Sequence, residues 1–279
     1  MNLWEPFQYE FLRDAMLIGS LIAVMCAVLS CLLVLRGWSL MGDAISHALL
    51  PGIVLAYLAG IPLLIGAFLA GLLCAMGTGW LKNISRLKED TSMGVVFTGL
   101  FAMGLVLFSK VPSDLHLDHI LFGNLLGIGP AEIREVMIVA FPVLIVLLLK
   151  RRDILLLCFD AAQARVIALP VGLLHYGLLA LLSLAIVISL KAVGMTLVTA
   201  MLITPGATAF LMTKRFERML AIAACTSVIS TVSGLMISYH CDASPSACIV
   251  LFQAGLFGLS WMGATHRVRK TEAGSLQRE

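Results

Sequence analysis

DAMLIGSLIAVMCAVLSCLLVL, residues 14–35, decides the class of fold: after Asp14, twenty-one residues pass without a charge. At about 1.5 Å per helical residue the stretch crosses a hydrocarbon core of about 30 Å, where a helix satisfies its backbone polar groups internally. It is too long for the apolar region of a secretory signal, and its flank, Glu5, Glu10, Arg13 and Asp14, is not positively charged. The pattern recurs along the chain. Of 279 residues, 60% are hydrophobic and 13% charged, and further apolar runs fall near 40–60, 62–81, 92–109, 132–149, 172–190, 194–212, 219–238 and 246–264. The expectation is all-α: a polytopic transmembrane helical bundle of about nine spans, one domain over residues 1–279 with a tail from about 265 to 279.

Nine spans put the termini on opposite sides, and the basic residues choose between them. With the amino terminus outside, fifteen of nineteen Lys and Arg fall on inner loops, leaving Arg13, Lys110, Arg134 and Lys191 outside. Inner loops carry the positive excess, so the carboxyl terminus is expected in the cytoplasm. The net charge of +3 is then an orientation signal beside anionic lipid. Nucleic-acid binding would need a basic soluble face, which this pattern excludes. Cys26, Cys31, Cys74 and Cys225 lie in apolar spans and read as small buried hydrophobes. Cys241 and Cys248 sit near the outer surface, where a disulfide is open but spacing alone fixes no geometry.

One span carries ionisable residues deep inside: Gly42-Asp43-Ala44-Ile45-Ser46-His47-Ala48-Leu49-Leu50-Pro51-Gly52. Arg36 and Trp38 read as an interfacial anchor at its inner end. Counting about 1.5 Å per residue from Arg36 puts Asp43 about 10 Å and His47 about 16 Å into a core of about 30 Å. An aspartate there costs about 2.5–3.5 kcal/mol, so such residues mark an ion or substrate path. At i and i+4 a carboxylate and an imidazole share a helix face and can reach one divalent cation. Proline 51 has no N–H, so the carbonyl of His47 loses its helical partner. One oxygen and one nitrogen donor suit manganese, iron or zinc and not copper(I). Two ligands are too few for a closed site, which suits transient passage, the rest coming from another helix or subunit. The alternative is that the two side chains bond each other, or a neighbouring helix, as buried glue.

Two flanking regions add candidates. The outer segment Ser113-Asp114-Leu115-His116-Leu117-Asp118-His119, with His240 and Asp242, reads either as a cation-attracting vestibule or as ordinary solvated loop. On the inner side, residues 160–169 form a short helix begun by Asp160 as N-cap and stopped by Pro170. It suits a groove in a soluble partner, with Asp160, Ala161, Gln163 and Arg165 as contacts, or is a plain connector. Leu202-Ile203-Thr204-Pro205-Gly206-Ala207 echoes Leu49-Leu50-Pro51-Gly52.

Together, Arg36 to Gly52, His119-Ile120-Leu121-Phe122-Gly123-Asn124, Phe159 to Pro170 and Thr204 to Ala209 resemble, in order, the permeases of metal-ion ABC importers, in the manganese and iron branch. Gly206-Ala207 departs from the two alanines common there. The resemblance implies a permease dimer of two identical or two related chains in a bacterial cytoplasmic membrane, with cytoplasmic ATP-binding subunits docked on a coupling helix, residues 160–169. It also implies an extracytoplasmic metal-binding protein as donor, Asp43 and His47 as pathway ligands, and a transported cation with no permanently bound cofactor. The chain has no GxxxxGK[ST] loop, so it is expected to be a pathway and not itself an ATPase. A gradient-driven secondary transporter is the alternative. An intramembrane metalloenzyme would need a motif such as His-Glu-x-x-His, which the sequence does not contain.

Overall fold

A computed structural model describes residues 9–86, 88–110, 123 and 125–276. Among these the chain forms twelve α-helices, a 3-10 turn at Leu125–Gly127 and no strand. In order they are α1 (Glu10–Arg36), α2 (Met41–Ala48), α3 (Leu50–Ala59), α4 (Leu63–Ile84), α5 (Glu89–Lys110) and α6 (Pro130–Leu149). The rest are α7 (Arg151–Phe159), α8 (Ala161–Val166), α9 (Val171–Val193), α10 (Met195–Met212), α11 (Phe216–Cys241) and α12 (Pro245–Leu276).

Among the described residues eight segments are long and apolar enough to cross a membrane, α2 and α3 counting together as one. The ninth expected span, residues 132–149, is a helix, α6, but Glu132, Arg134 and Glu135 occupy its first turns. Fourteen apolar residues remain from Val136 to Leu149, fewer than the usual twenty or so for a span. The tail expected from residue 265 continues α12 as helix to Leu276.

Helix α1 is the axis. It is apolar on all sides, and 72% of its spanning window is buried, against 11% for α12. It packs against α6, α7, α9, α10 and α11. Gly37 ends it in the left-handed region at φ 75°, letting the Trp38 N–H reach the Leu33 carbonyl at 2.8 Å. With no hydrophobic drive between helices in lipid, close packing must hold the bundle, and small residues permit it. The tightest approach joins α3 to α4: a Cβ on Gly52 would lie 2.1 Å from the Gly66 carbonyl oxygen, and one on Gly66 2.2 Å from that of Gly52. Gly104 of α5 meets the Pro51 ring in the same way, at 2.8 Å. Helices α2 to α5 thus form one unit around the Pro51-Gly52 turn.

Two expectations change, and one open pairing is resolved. Cys26, Cys31 and Cys74 are buried, but Cys225 is exposed on α11, because hydropathy cannot tell a lipid-facing from an inward-facing position. Trp38 is buried instead of facing an interface, its ring covered by Arg36. Cys241 and Cys248 are free thiols, the first exposed and the second buried.

Candidate metal path and docking helix

Helix α2 is one short segment with Asp43 in its first turn and His47 in its last. The carboxylate faces the helix amino terminus, where the dipole favours it. Its back is pinned by contact: a Cβ on Gly42 would lie 2.7 Å from Cδ1 of Leu202, while Ile45 and Leu49 press on Gly71 of α4. Ser46 turns its hydroxyl onto its own helix, donating to the Gly42 carbonyl at 2.8 Å. Asp43 and His47 are left on the remaining face, toward α5. There the His47 ring meets Phe101 edge to face at 5.4 Å and Phe97 at 6.2 Å.

The pair is close but unlocked. His47 Nε2 is 3.7 Å from Asp43 Oδ1, beyond hydrogen-bond reach, and the side chains are 30% and 43% exposed. They meet as a loose ion-pair contact without a hydrogen bond between them. The two donor atoms stand at a separation that a shared cation could bridge. Among the described residues no group of three or more His, Cys, Asp or Glu comes together.

The expected break at Pro51 is present. Helix α2 stops at Ala48, α3 starts at Leu50, and the ladder resumes with the Ile53 N–H on the Leu49 carbonyl at 3.0 Å. Pro205, by contrast, lies inside an unbroken α10. Ser30 of α1 braces this turn: its hydroxyl accepts from the Gly206 N–H at 2.9 Å and donates to the Ile203 carbonyl at 3.2 Å. Sequence spacing gave no signal for this bridge, since Ser30 is one hydroxyl in an apolar run.

The vestibule residues Asp114, His116, Asp118 and His119 lie outside the described residues. His240 and Asp242 serve the end of α11: Nδ1 of His240 is 2.8 Å from the Met236 carbonyl, and Asp242 is the left-handed cap at φ 47°. They border a cavity of about 550 Å³ with Phe11, Leu126 and Tyr239. A second cavity, about 560 Å³, lies between Pro62, Leu63, Glu132, Glu135 and Lys191, and the Lys191 ammonium pairs with the Glu135 carboxylate across it. In the sequence Lys191 stands out only as an outer-side charge, and no spacing signal pairs it with Glu135.

The short inner helix is narrower than expected, spanning Ala161–Val166 with Asp160 as its cap. The Asp160 carboxylate accepts from the N–H groups of Ala162 at 2.8 Å and Gln163 at 2.9 Å. Ala168, at φ 58°, turns the chain back, and the Leu169 N–H closes on the Ala164 carbonyl at 3.1 Å. Ala164 faces inward while Gln163 and Arg165 face out, beside the exposed apolar side chains of Phe159, Val166 and Ile167. A rigid knob with an apolar tip and polar edges is the result.

A family model described as the ABC 3 transport family matches residues 8–264. The chain belongs to that family. It is 57% identical to a chelated iron transport system membrane protein, YfeD, of Yersinia pestis, over 91% of this chain and 85% of that one. It is 48% identical to a manganese transport system membrane protein, MntB, of Synechocystis sp., over 94% of this chain and 86% of that one. Among solved structures, this ABC 3 family chain superposes on PsaBC from Streptococcus pneumoniae, solved with a Fab, with a TM-score of 0.83 at 34% identity, covering 93% of this chain and 94% of that one.

Proposed function

We propose that this chain is the transmembrane permease of an ATP-driven importer that carries manganese or ferrous iron across a bacterial cytoplasmic membrane. The observation that carries the reading is the half-exposed, unlocked Asp43 and His47 pair on a membrane-spanning helix. Membership of the ABC 3 family and the names of the iron and manganese relatives support both the energy source and the cargo. The donor chemistry alone would also accept zinc.

The cation is cargo and not a resident cofactor. An oxygen and a nitrogen hold it weakly enough to leave, and a second permease copy, identical or related, supplies the remaining ligands where the pair opens toward α5. ATP is hydrolysed by separate cytoplasmic subunits, which grip the Asp160-capped knob through Gln163, Arg165 and its apolar tip. An extracytoplasmic metal-binding protein delivers the ion. The amino terminus is outside and the carboxyl terminus inside, as the basic residues ask, which makes the twenty-residue α6 a ninth crossing with Glu132, Arg134 and Glu135 at its outer end. Shifts of α8 then assemble and dismantle the cation site between outward-open and inward-open states.

Reconstitution of the chain with its ATP-binding and metal-binding partners in vesicles tests this. ATP-dependent manganese uptake is the expected result. Uptake that follows a proton or sodium gradient without any ATP-binding subunit would replace the reading with a secondary transporter.

A further inference from the structure

Arg36, the last residue of α1, is the centre of a cluster that the steps above do not use. Its Nη2 lies 3.0 Å from Nδ1 of His175, and its Cζ sits 4.1 Å from the centre of the Trp38 ring. The Trp38 and His175 rings meet edge to face at 5.5 Å. On a third side is Cys158: burial pushes its thiol pKa up, and the adjacent Arg36 guanidinium draws it back. Nη1 of Arg36 is buried without a hydrogen-bond partner, so the guanidinium has a donor to spare when its surroundings shift. A flat cation stacked on an indole and bonded in its own plane is an arrangement lysine cannot copy.

The chain positions of these residues give the cluster its meaning. Cys158 lies two residues before Asp160, the cap of α8, and His175 lies in the second turn of α9, the helix that follows α8. Arg36 therefore holds the chain after the docking helix directly, through His175, and sits at the end of α1, against which the helix before it, α7, packs. Helix α7, which carries Cys158, is seated by buried Ile154 and Leu157 and packs on both α1 and α9, so α8 cannot shift without disturbing these flanks. Trp38 lies at the root of the metal-path helix: its carbonyl accepts the N–H of Met41, the first residue of α2, at 2.9 Å. Asp43 is five residues beyond Trp38.

We propose that Arg36 is a positioning residue that links the docking helix to the cation site, tying α9, the helix that follows α8, through His175 to Trp38 beneath Asp43 and His47. When the ATP-binding subunits displace α8, the guanidinium carries the displacement into Trp38 and so into the angle of α2. Rings and guanidinium move as a stack, because each covers a face or edge of the next. This rests on the importer reading above and adds to it the route by which hydrolysis reaches the ion.

The test uses the complete transporter in vesicles, measuring ATP hydrolysis and manganese uptake on the same preparation. Arg36→Lys should assemble and hydrolyse ATP near the unmodified rate while ions moved per ATP fall about tenfold, within the usual range of coupling between sites. His175→Leu should behave likewise, whereas His175→Gln, which keeps a partner for the guanidinium, should retain most of the ratio. An unchanged ratio in Arg36→Lys and His175→Leu, whether both activities fall together or neither falls, overturns the proposal. Where Arg36→Lys does not assemble, the two His175 variants decide; failure of all three to assemble makes the cluster a structural anchor and also overturns it. Asp43→Ala separates the parent reading: full ATP-driven uptake in that variant refutes the metal path, whatever the Arg36 result.

Discussion

Two proline turns in this molecule carry nearly the same local sequence and do opposite things. Thr204-Pro205-Gly206 lies within an unbroken helix, and Ser30 reaches across from α1 to brace it, accepting from the Gly206 N–H and donating to the Ile203 carbonyl. Leu50-Pro51-Gly52 breaks the helix, and among the described residues no side-chain hydrogen bond reaches residues 47–52; glycine contacts hold the turn instead. The first turn is repaired and structural. The second is left open one turn beyond a half-exposed carboxylate and imidazole. What separates a bend from a functional break is the neighbour and not the proline.

That contrast can be broken from several sides. The largest effect is expected at the open turn, where Asp43→Ala or His47→Ala should reduce metal accumulation to background while the protein inserts and assembles normally; uptake by cells or vesicles, beside a measure of membrane-inserted protein, checks it. Next, Gly52→Ala should disrupt the α3 to α4 contact, because its Cβ would lie 2.1 Å from a backbone oxygen that no rotamer change can move. Overpacking usually costs about 1–3 kcal/mol, and a backbone clash should exceed that, so a large loss of thermal stability in detergent is the expected readout.

At the repaired turn, Ser30→Ala removes a donor and an acceptor together and leaves the Gly206 N–H buried without its partner. A loss of about 1–3 kcal/mol in stability is expected, with the number of ions moved per ATP unchanged. A Ser30→Ala variant that lost transport but not stability would erase the distinction between the two turns. The smallest effect lies at the docking knob. Ala168 sits in the left-handed region at φ 58°, which costs an alanine about 1 kcal/mol or more relative to glycine. Ala168→Gly should therefore leave stability equal or slightly higher, the gain reduced by the greater freedom of glycine in the unfolded chain.

Hydropathy revealed the helical class and most of the span boundaries, and cap and proline signals revealed the short inner helix with its Asp160 cap, since each depends on local composition and spacing. Asp43 and His47 were legible for the same reason, as ionisable residues in an apolar run. Three things were not. Glu132, Arg134 and Glu135 left α6 with only fourteen apolar residues, a shortfall that a sliding reading of residues 132–149 averages away. Cys225 turned outward because an apolar helix in lipid has no polar face to betray its orientation. The Arg36 cluster and the Ser30 bridge join residues more than a hundred positions apart, and no spacing rule reaches that far.

The central claim is that His47 and Asp43 hold the ion together, and pulsed electron paramagnetic resonance on manganese bound to the assembled transporter tests it most directly. The account predicts a directly coordinated imidazole nitrogen that disappears in His47→Gln, with weakened manganese binding in Asp43→Asn. A nitrogen signal of unchanged strength in His47→Gln would contradict it.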